Sequence, residues 1–302
     1  MGTVKADRPA YWLHCGLQCA LACLAAAWLA IPSLCAAQSP EAATLLARHS
    51  ALAPRMAASA FARPLVVDSG ETGGRMHGEI YGELAHPFAP MAQRLTAPAA
   101  WCDVIVLHIN VKGCAASASV VTVYSGRKFY EPLDRTYALR YSFRVAAARP
   151  DYLRVELAAD SGPLGTSDYE LVLEATPIGE RTFVALRYAF RPSPGSRFAT
   201  MSYLATLGSG KAGFTIVGRH KDGTPEWIGG VRGIVERNVM RNFLALDAWL
   251  ATRDAPEEER TLRRLERMAA LTEQYPAQLV EMPASEYVST KQRERRDNVV
   301  RV

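Results

Sequence analysis

The residues whose types and spacing could do chemistry fall into four groups. Asn238 and Asn242 stand four apart inside an apolar stripe, where a helix would place both amides on one face. A buried amide without a partner costs about 1 to 3 kcal/mol. Each must therefore meet backbone, another side chain, water or a ligand: the two amides form either an internal network to a loop or the few polar contacts of an apolar pocket. His77, Glu79 and Glu83 alternate along a strand-like stretch, so they share a face that could hold a metal; charges at alternate positions are also what a solvated strand face shows. Cys102 and Cys114 are either partners in a disulfide or, for Cys102 beside Asp103 and His108, a reactive thiol. Gly208-Ser209-Gly210-Lys211 fails as a phosphate loop, because the earlier glycine of that motif would fall at Ala205 and Ala212 follows the lysine. No His-Glu-x-x-His, Cys-x-x-Cys or Gly-x-Ser-x-Gly pattern occurs, so zinc-protease, metal-ribbon and hydrolase chemistry lack their residues. The sequence implies no cofactor, no metal and no catalytic residue.

Composition narrows the class. The chain has 302 residues, 49% of them hydrophobic and 22% charged, an ordinary globular balance. Its start departs from that average. Lys5 and Arg8 precede an apolar run from Cys15 to Ile31, and Cys35-Ala36-Ala37 supplies small residues, the pattern of a secretory signal cleaved after Ala37. The alternative is an uncleaved membrane anchor. The mature chain is expected in the periplasm or outside the cell, and its formal charge falls from +5 to about +4 with the loss of Lys5, Asp7 and Arg8. Basic residues are otherwise dispersed, so nucleic acid is not an expected partner. The run Lys291, Arg293, Arg295, Arg296 reads as a solvated helix end. Four of the six cysteines lie in the leader, which leaves Cys102 and Cys114; an oxidising compartment favours their pairing. Such a closed loop would contribute about 3 kcal/mol by restricting the unfolded chain.

The elements that must position these groups can be read in order. Pro40 to Leu52 suggests a short helix, and Leu65-Val66-Val67 a strand that turns through Gly70, Gly73 and Gly74. Met76, Gly78, Ile80, Gly82 and Leu84 alternate with polar residues as a half-buried strand; the two glycines leave room for a bend or a ligand. Pro87 and Pro90 open a helix with Met91 and Leu95, and Pro98 another with Trp101, Val104 and Ile105. Strands are expected at Val120–Tyr124 and Lys128–Glu131, joined by a Ser125-Gly126 turn, then at Tyr137–Val145, Leu153–Leu157, Tyr169–Ala175, Thr182–Phe190, Thr200–Leu207 and Phe214–Val217. Val231 to Thr252 is one long helix. Val231, Val235, Val239, Leu246, Trp249 and Leu250 form one stripe, and Met240, Leu244, Ala248 and Ala251 a second, so both faces should be covered. Pro256 and three glutamates open a helix that turns Leu262, Leu265, Met268 and Leu271 toward the second stripe. A last amphipathic piece runs from Pro283 and frays after Arg293.

The order of Gly74 to Leu84, the helices of Pro87 to Leu107, the strands to Val217 and the helix of Val231 to Thr252 resembles the START-like, or SRPBCC, helix-grip superfamily. The resemblance implies an α+β fold, a curved antiparallel sheet wrapped around a long C-terminal helix, with an extra helical tail. It divides the chain into a leader (1–37), a helical lead-in (38–64), the helix-grip domain (65–252) and the tail (253–302). It further implies a cavity for an apolar or amphipathic small molecule such as a lipid, walled by Tyr141, Phe143, Leu171, Leu173, Leu186 and Tyr188, with Asn238 and Asn242 at the polar end. Peripheral membrane contact would suit such a ligand. An enzyme of the same superfamily, cyclase or dehydratase in kind, and an envelope assembly factor with a small dry cavity remain alternatives.

Overall fold

The computed structural model describes residues 38–61, 63–195 and 212–298, with the first two residues of the chain. The leader and the strand expected at Thr200–Leu207 lie outside the described residues. Ser39 caps the first helix, α1 (Pro40–Ala57): its hydroxyl accepts from the Ala42 N–H at 3.3 Å, and Pro40 occupies the first turn. Two strands follow, β1 (Leu65–Thr72) and β2 (Arg75–Leu84), then the short helices α2 (Phe88–Leu95) and α3 (Pro98–Ile105). Next come β3 (Val111–Ala116), β4 (Val120–Ser125), β5 (Tyr137–Arg149), β6 (Tyr152–Ser161), β7 (Ser167–Ile178) and β8 (Arg181–Arg191). These eight strands make one antiparallel sheet in the order β1-β2-β8-β7-β6-β5-β4-β3, so α2 and α3 carry the chain from β2 to the far edge.

A two-stranded ribbon, β9 (Ile216–Arg219) with β10 (Pro225–Trp227), leads into the long helix α4 (Gly230–Ala251). The strand expected at Phe214–Val217 thus begins at Ile216 and pairs outside the main sheet. The tail forms α5 (Glu257–Glu273), the one-turn α6 (Pro276–Leu279) and α7 (Ala284–Asp297). The arrangement is a helix grip: the curved sheet holds α4 on its inner face, and the tail packs on the other side of α4.

The glycines of β2 have a packing explanation. A Cβ on Gly78 would stand 2.7 Å from Val235 Cγ1, and one on Gly82 2.8 Å from Phe243 Cζ. The room they leave is taken by α4, which lies directly on β2; it is not open for a ligand. Two buried carboxylates fix where α4 sits. Glu236 accepts from Ser69 Oγ, from the Phe214 and Thr215 N–H groups and from Thr215 Oγ1, at 2.6 to 2.9 Å. Asp247 accepts from Arg63 at 2.7 Å and His86 at 3.2 Å. Burial pushes the Asp247 carboxyl up, but the His86 and Arg63 hydrogen bonds outweigh it and hold the group below its usual range. The sequence reading contained neither anchor.

Several other expectations change. Lys128–Glu131 is not a strand: the Glu131 carboxylate accepts from the Arg127 N–H at 2.6 Å and its guanidinium at 2.7 Å, which curls this segment into a loop. The strand that pairs with β4 is β3, joined to it through Ser117–Ser119. The polar face of β2 is covered by α1. Glu83 meets His49 at 2.8 Å and Arg181 at 2.6 Å, while Glu79 accepts from Tyr81 at 2.7 Å, so ion pairs replace solvent. Among the described residues no group of three or more His, Cys, Asp or Glu could hold a metal. On the tail side, Leu265, Met268 and Leu271 are buried as expected, but Leu262 is 39% exposed and Ala251 faces outward. Helix α7 runs past Arg293 to Asp297. Lys291 is not solvated: its ammonium is buried, donating to Val111 O and to Glu294, where Lys112 also donates at 2.6 Å. Arg293 and Arg296 are exposed, as a helix end requires.

Candidate functional site

A cavity of about 250 Å³ opens between α4 and the β3–β7 side of the sheet. Its position follows from the register. Leu157, Leu171 and Tyr188 are paired neighbours across β6, β7 and β8, and all three line the space. Two residues further along the same strands, Val155, Leu173 and Leu186 form the next row, and all three are buried without lining the cavity. Leu173 and Leu186 therefore belong to the core, and Phe143 is half-buried against it without reaching the cavity. Of the eight residues expected to bind a ligand, the structure brings together Tyr141, Leu171, Tyr188, Asn238 and Asn242 around one space and leaves out Phe143, Leu173 and Leu186.

The polar lining holds residues that sequence reasoning missed. Tyr169 stands between Tyr141 and Tyr188, 6.4 Å from each ring centre, and its hydroxyl is paired with Thr166 at 2.7 Å. No hydrogen bond to a described residue engages the hydroxyls of Tyr141 and Tyr188. Burial raises both far above the usual phenol range, so both keep their protons and can donate. His108 is buried at the opposite end of the lining, where its Nδ1 accepts from the Asn110 N–H at 3.2 Å. That bond leaves the ring proton on Nε2, and Asn238 is its side-chain partner. Burial, reinforced by Arg241, Lys291 and Lys112, outweighs the Asn238 bond and pushes the imidazole down to about 3. The ring is therefore neutral under all physiological conditions. Asn242 makes no hydrogen bond to a described residue.

The wall carrying His108 is a short loop held at both ends. Cys102 on α3 and Cys114 on β3 are joined, with a Cα separation of 5.3 Å, and Ile105, His108, Asn110 and Val111 all lie inside the loop they close, at a sequence separation of 12. Pairing excludes the reactive-thiol reading of Cys102. Asn110 is tied further to Gly126, by its amide at 3.1 Å and through its own carbonyl at 2.7 Å. The signal for this wall was present in the two cysteines. What hid it was the strand itself: Gly113-Cys114-Ala115-Ala116 has little of the branched and aromatic content that marks β structure.

No protein-family description matches the chain, and no curated protein does. Solved structures do resemble it. A START superfamily protein from Mycobacterium smegmatis is 13% identical, with a TM-score of 0.28 over 48% of this chain and 92% of its own. The Zhui aromatase/cyclase from Streptomyces sp. R1128 is 13% identical, with a TM-score of 0.33 over 59% of this chain and 95% of its own. A truncated norcoclaurine synthase from Thalictrum flavum is 11% identical, with a TM-score of 0.31 over 48% of this chain and 89% of its own. Likeness at this level transfers no activity. The helix-grip assignment rests on the strand order and the placement of α4.

Proposed function

We propose that the protein binds a small amphipathic molecule in the cavity between sheet and α4, as an exported binding protein. The observation that carries this reading is the change between adjacent rows: Val155, Leu173 and Leu186 stay clear of the cavity, while Leu157, Leu171 and Tyr188 border it where the tyrosines and the amides of α4 converge. A volume of about 250 Å³ lies just under the roughly 300 to 1,000 Å³ of drug-sized sites, which favours a ring-sized amphipathic ligand over a full-length lipid. His108 supports binding over acid–base chemistry. With its imidazole pushed down to about 3, it cannot take up a proton at neutral pH. Export with loss of residues 1–37 is part of the proposal, supported by the basic start, the apolar run and the small residues before Gln38.

Native mass spectrometry of protein recovered from the cell envelope tests both parts. The expected result is a mass lacking the first 37 residues, carrying a small adduct that solvent extraction releases. Leu171→Trp, which puts an indole into the space, should fold and lose the adduct. An adduct retained by Leu171→Trp would place the ligand elsewhere, and a mass that includes the leader would place the protein among anchored ones.

A further inference from the structure

The cavity has no ionised side chain on its wall among the described residues: its polar groups are tyrosine hydroxyls, amides, Ser125 and a neutral imidazole. What it offers a ligand is polar without being charged. Tyr141 and Tyr188 keep their O–H protons and have no partner among the described residues. Asn238 gives its carbonyl oxygen to His108 Nε2–H, which leaves its N–H₂ as the unspent half of the amide. Asn242 brings a complete amide, N–H₂ and carbonyl, beside it on α4. The site thus offers neutral donors and acceptors and no charge. Behind the His108 wall stand Arg241, Lys112 and Lys291, close enough to oppose positive charge on the imidazole although none of them lines the space. Each has a carboxylate partner, Lys112 and Lys291 in Glu294 and Arg241 in Glu281, and these carboxylates offset their field at the cavity.

Resting on the cavity reading, we propose that the ligand is an uncharged, ring-sized molecule that turns a carbonyl or hydroxyl oxygen toward Asn238 and Asn242, and that the site rejects organic cations. An ammonium group placed there would lose its hydration without a carboxylate to replace it. A carboxylate would find donors but no contacting counter-charge, and desolvation would cost it more than a neutral oxygen.

Three phenols of equal non-hydrogen atom count separate these cases: 4-hydroxyacetophenone, 4-hydroxybenzoate and tyramine. Each is titrated calorimetrically, near neutral pH, into full-length mature protein from which the resident ligand has been extracted. The ketone should bind most tightly, with tyramine weaker by about ten-fold or more, since one unfavourably buried charge exceeds the energy of a tenfold step. Asn242→Leu keeps the side-chain volume and removes the amide, and should weaken the ketone by about three-fold or more. Tyramine or 4-hydroxybenzoate binding as tightly as the ketone overturns the ligand class while leaving the cavity reading intact. Unchanged ketone affinity in Asn242→Leu overturns the proposed orientation. Binding of none of the three overturns the cavity reading itself, and that result differs from loss of discrimination.

Discussion

Two rows of the same sheet, one strand step apart, differ in fate. Val155, Leu173 and Leu186 are buried in the same core as α4, and none of them lines the cavity. Leu157, Leu171 and Tyr188 face the same helix across a void. The strands, the register and the helix are shared, so the difference lies in the partner residues. Toward β2, Gly78 and Gly82 let Val235 and Phe243 touch the sheet, whereas toward β5 the helix presents Asn238 and Asn242 to tyrosines. An aliphatic row can be closed by aliphatic side chains, because dispersion rewards every contact. A row ending in hydroxyls and amides cannot be closed that way without leaving polar groups unsatisfied, so a space remains where their hydrogen bonds can be made.

Truncating each row should break the comparison if it is wrong. Leu173→Ala removes atoms that are in contact on all sides, so transfer and cavity terms add, for a loss of about 4 to 5 kcal/mol in denaturant unfolding. Leu171→Ala removes atoms already bordering a void and should cost about 2 to 3 kcal/mol, nearer the transfer term alone. Equal losses would mean that the second row is as tightly packed as the first and that the cavity is not a property of the folded protein.

The disulfide sharpens the comparison from the side of the wall. The closed loop holds His108 and Asn110 at the cavity and contributes nothing to the packed row, so the double replacement Cys102→Ser with Cys114→Ser should act in two ways. Stability should fall by about 3 kcal/mol through the freed unfolded chain. Binding of 4-hydroxyacetophenone should weaken as well when measured well below the new melting temperature. Ligand affinity equal to the parent's would show that Gly126 and the Lys112–Glu294–Lys291 cluster hold the wall without the disulfide. Thiol titration of unfolded, unreduced parent protein should find no free thiol from Cys102 or Cys114.

How far the fold was legible in the sequence follows the same division. Periodicity placed β2, β5 through β8, α2, α3 and α4, because apolar alternation and helical stripes survive in any register. It failed at Lys128–Glu131, where a single carboxylate organises the loop, and at β3, whose small residues carry no strand signal. It misjudged Lys291, since nothing in a run of basic residues tells which one turns inward to a carboxylate. For the site, Asn238 and Asn242 stood out as polar residues in an apolar stripe, and Tyr141, Leu171 and Tyr188 came from alternate strand positions. Leu173 and Leu186 satisfy the same alternation. What separates them from Leu171 and Tyr188 is which side chains of α4 stand opposite, because Asn238 and Asn242 share one lining with Leu171 and Tyr188 and not with Leu173 or Leu186.

The smallest expected effect on stability is the most informative about the helix. Asn242→Leu keeps side-chain volume near that of the parent and removes all hydrogen bonding. If Asn242 belonged to an internal network, its partners would be left unsatisfied, and the protein would lose about 1 to 3 kcal/mol. The structure gives Asn242 no hydrogen bond to a described residue and places it on the cavity wall, so stability should change by less than about 0.5 kcal/mol. Retention of an oxygen-bearing ligand should fall, because the donor that met its oxygen is gone and the desolvated oxygen has no replacement. An apolar ligand of the same shape should be retained as well as before, or better. The measurements are a melting temperature for the ligand-free protein and calorimetric affinity for 4-hydroxyacetophenone. A clear drop in melting temperature with unchanged affinity would make Asn242 a core residue, and the difference between the two rows would then have to come from the tyrosines alone.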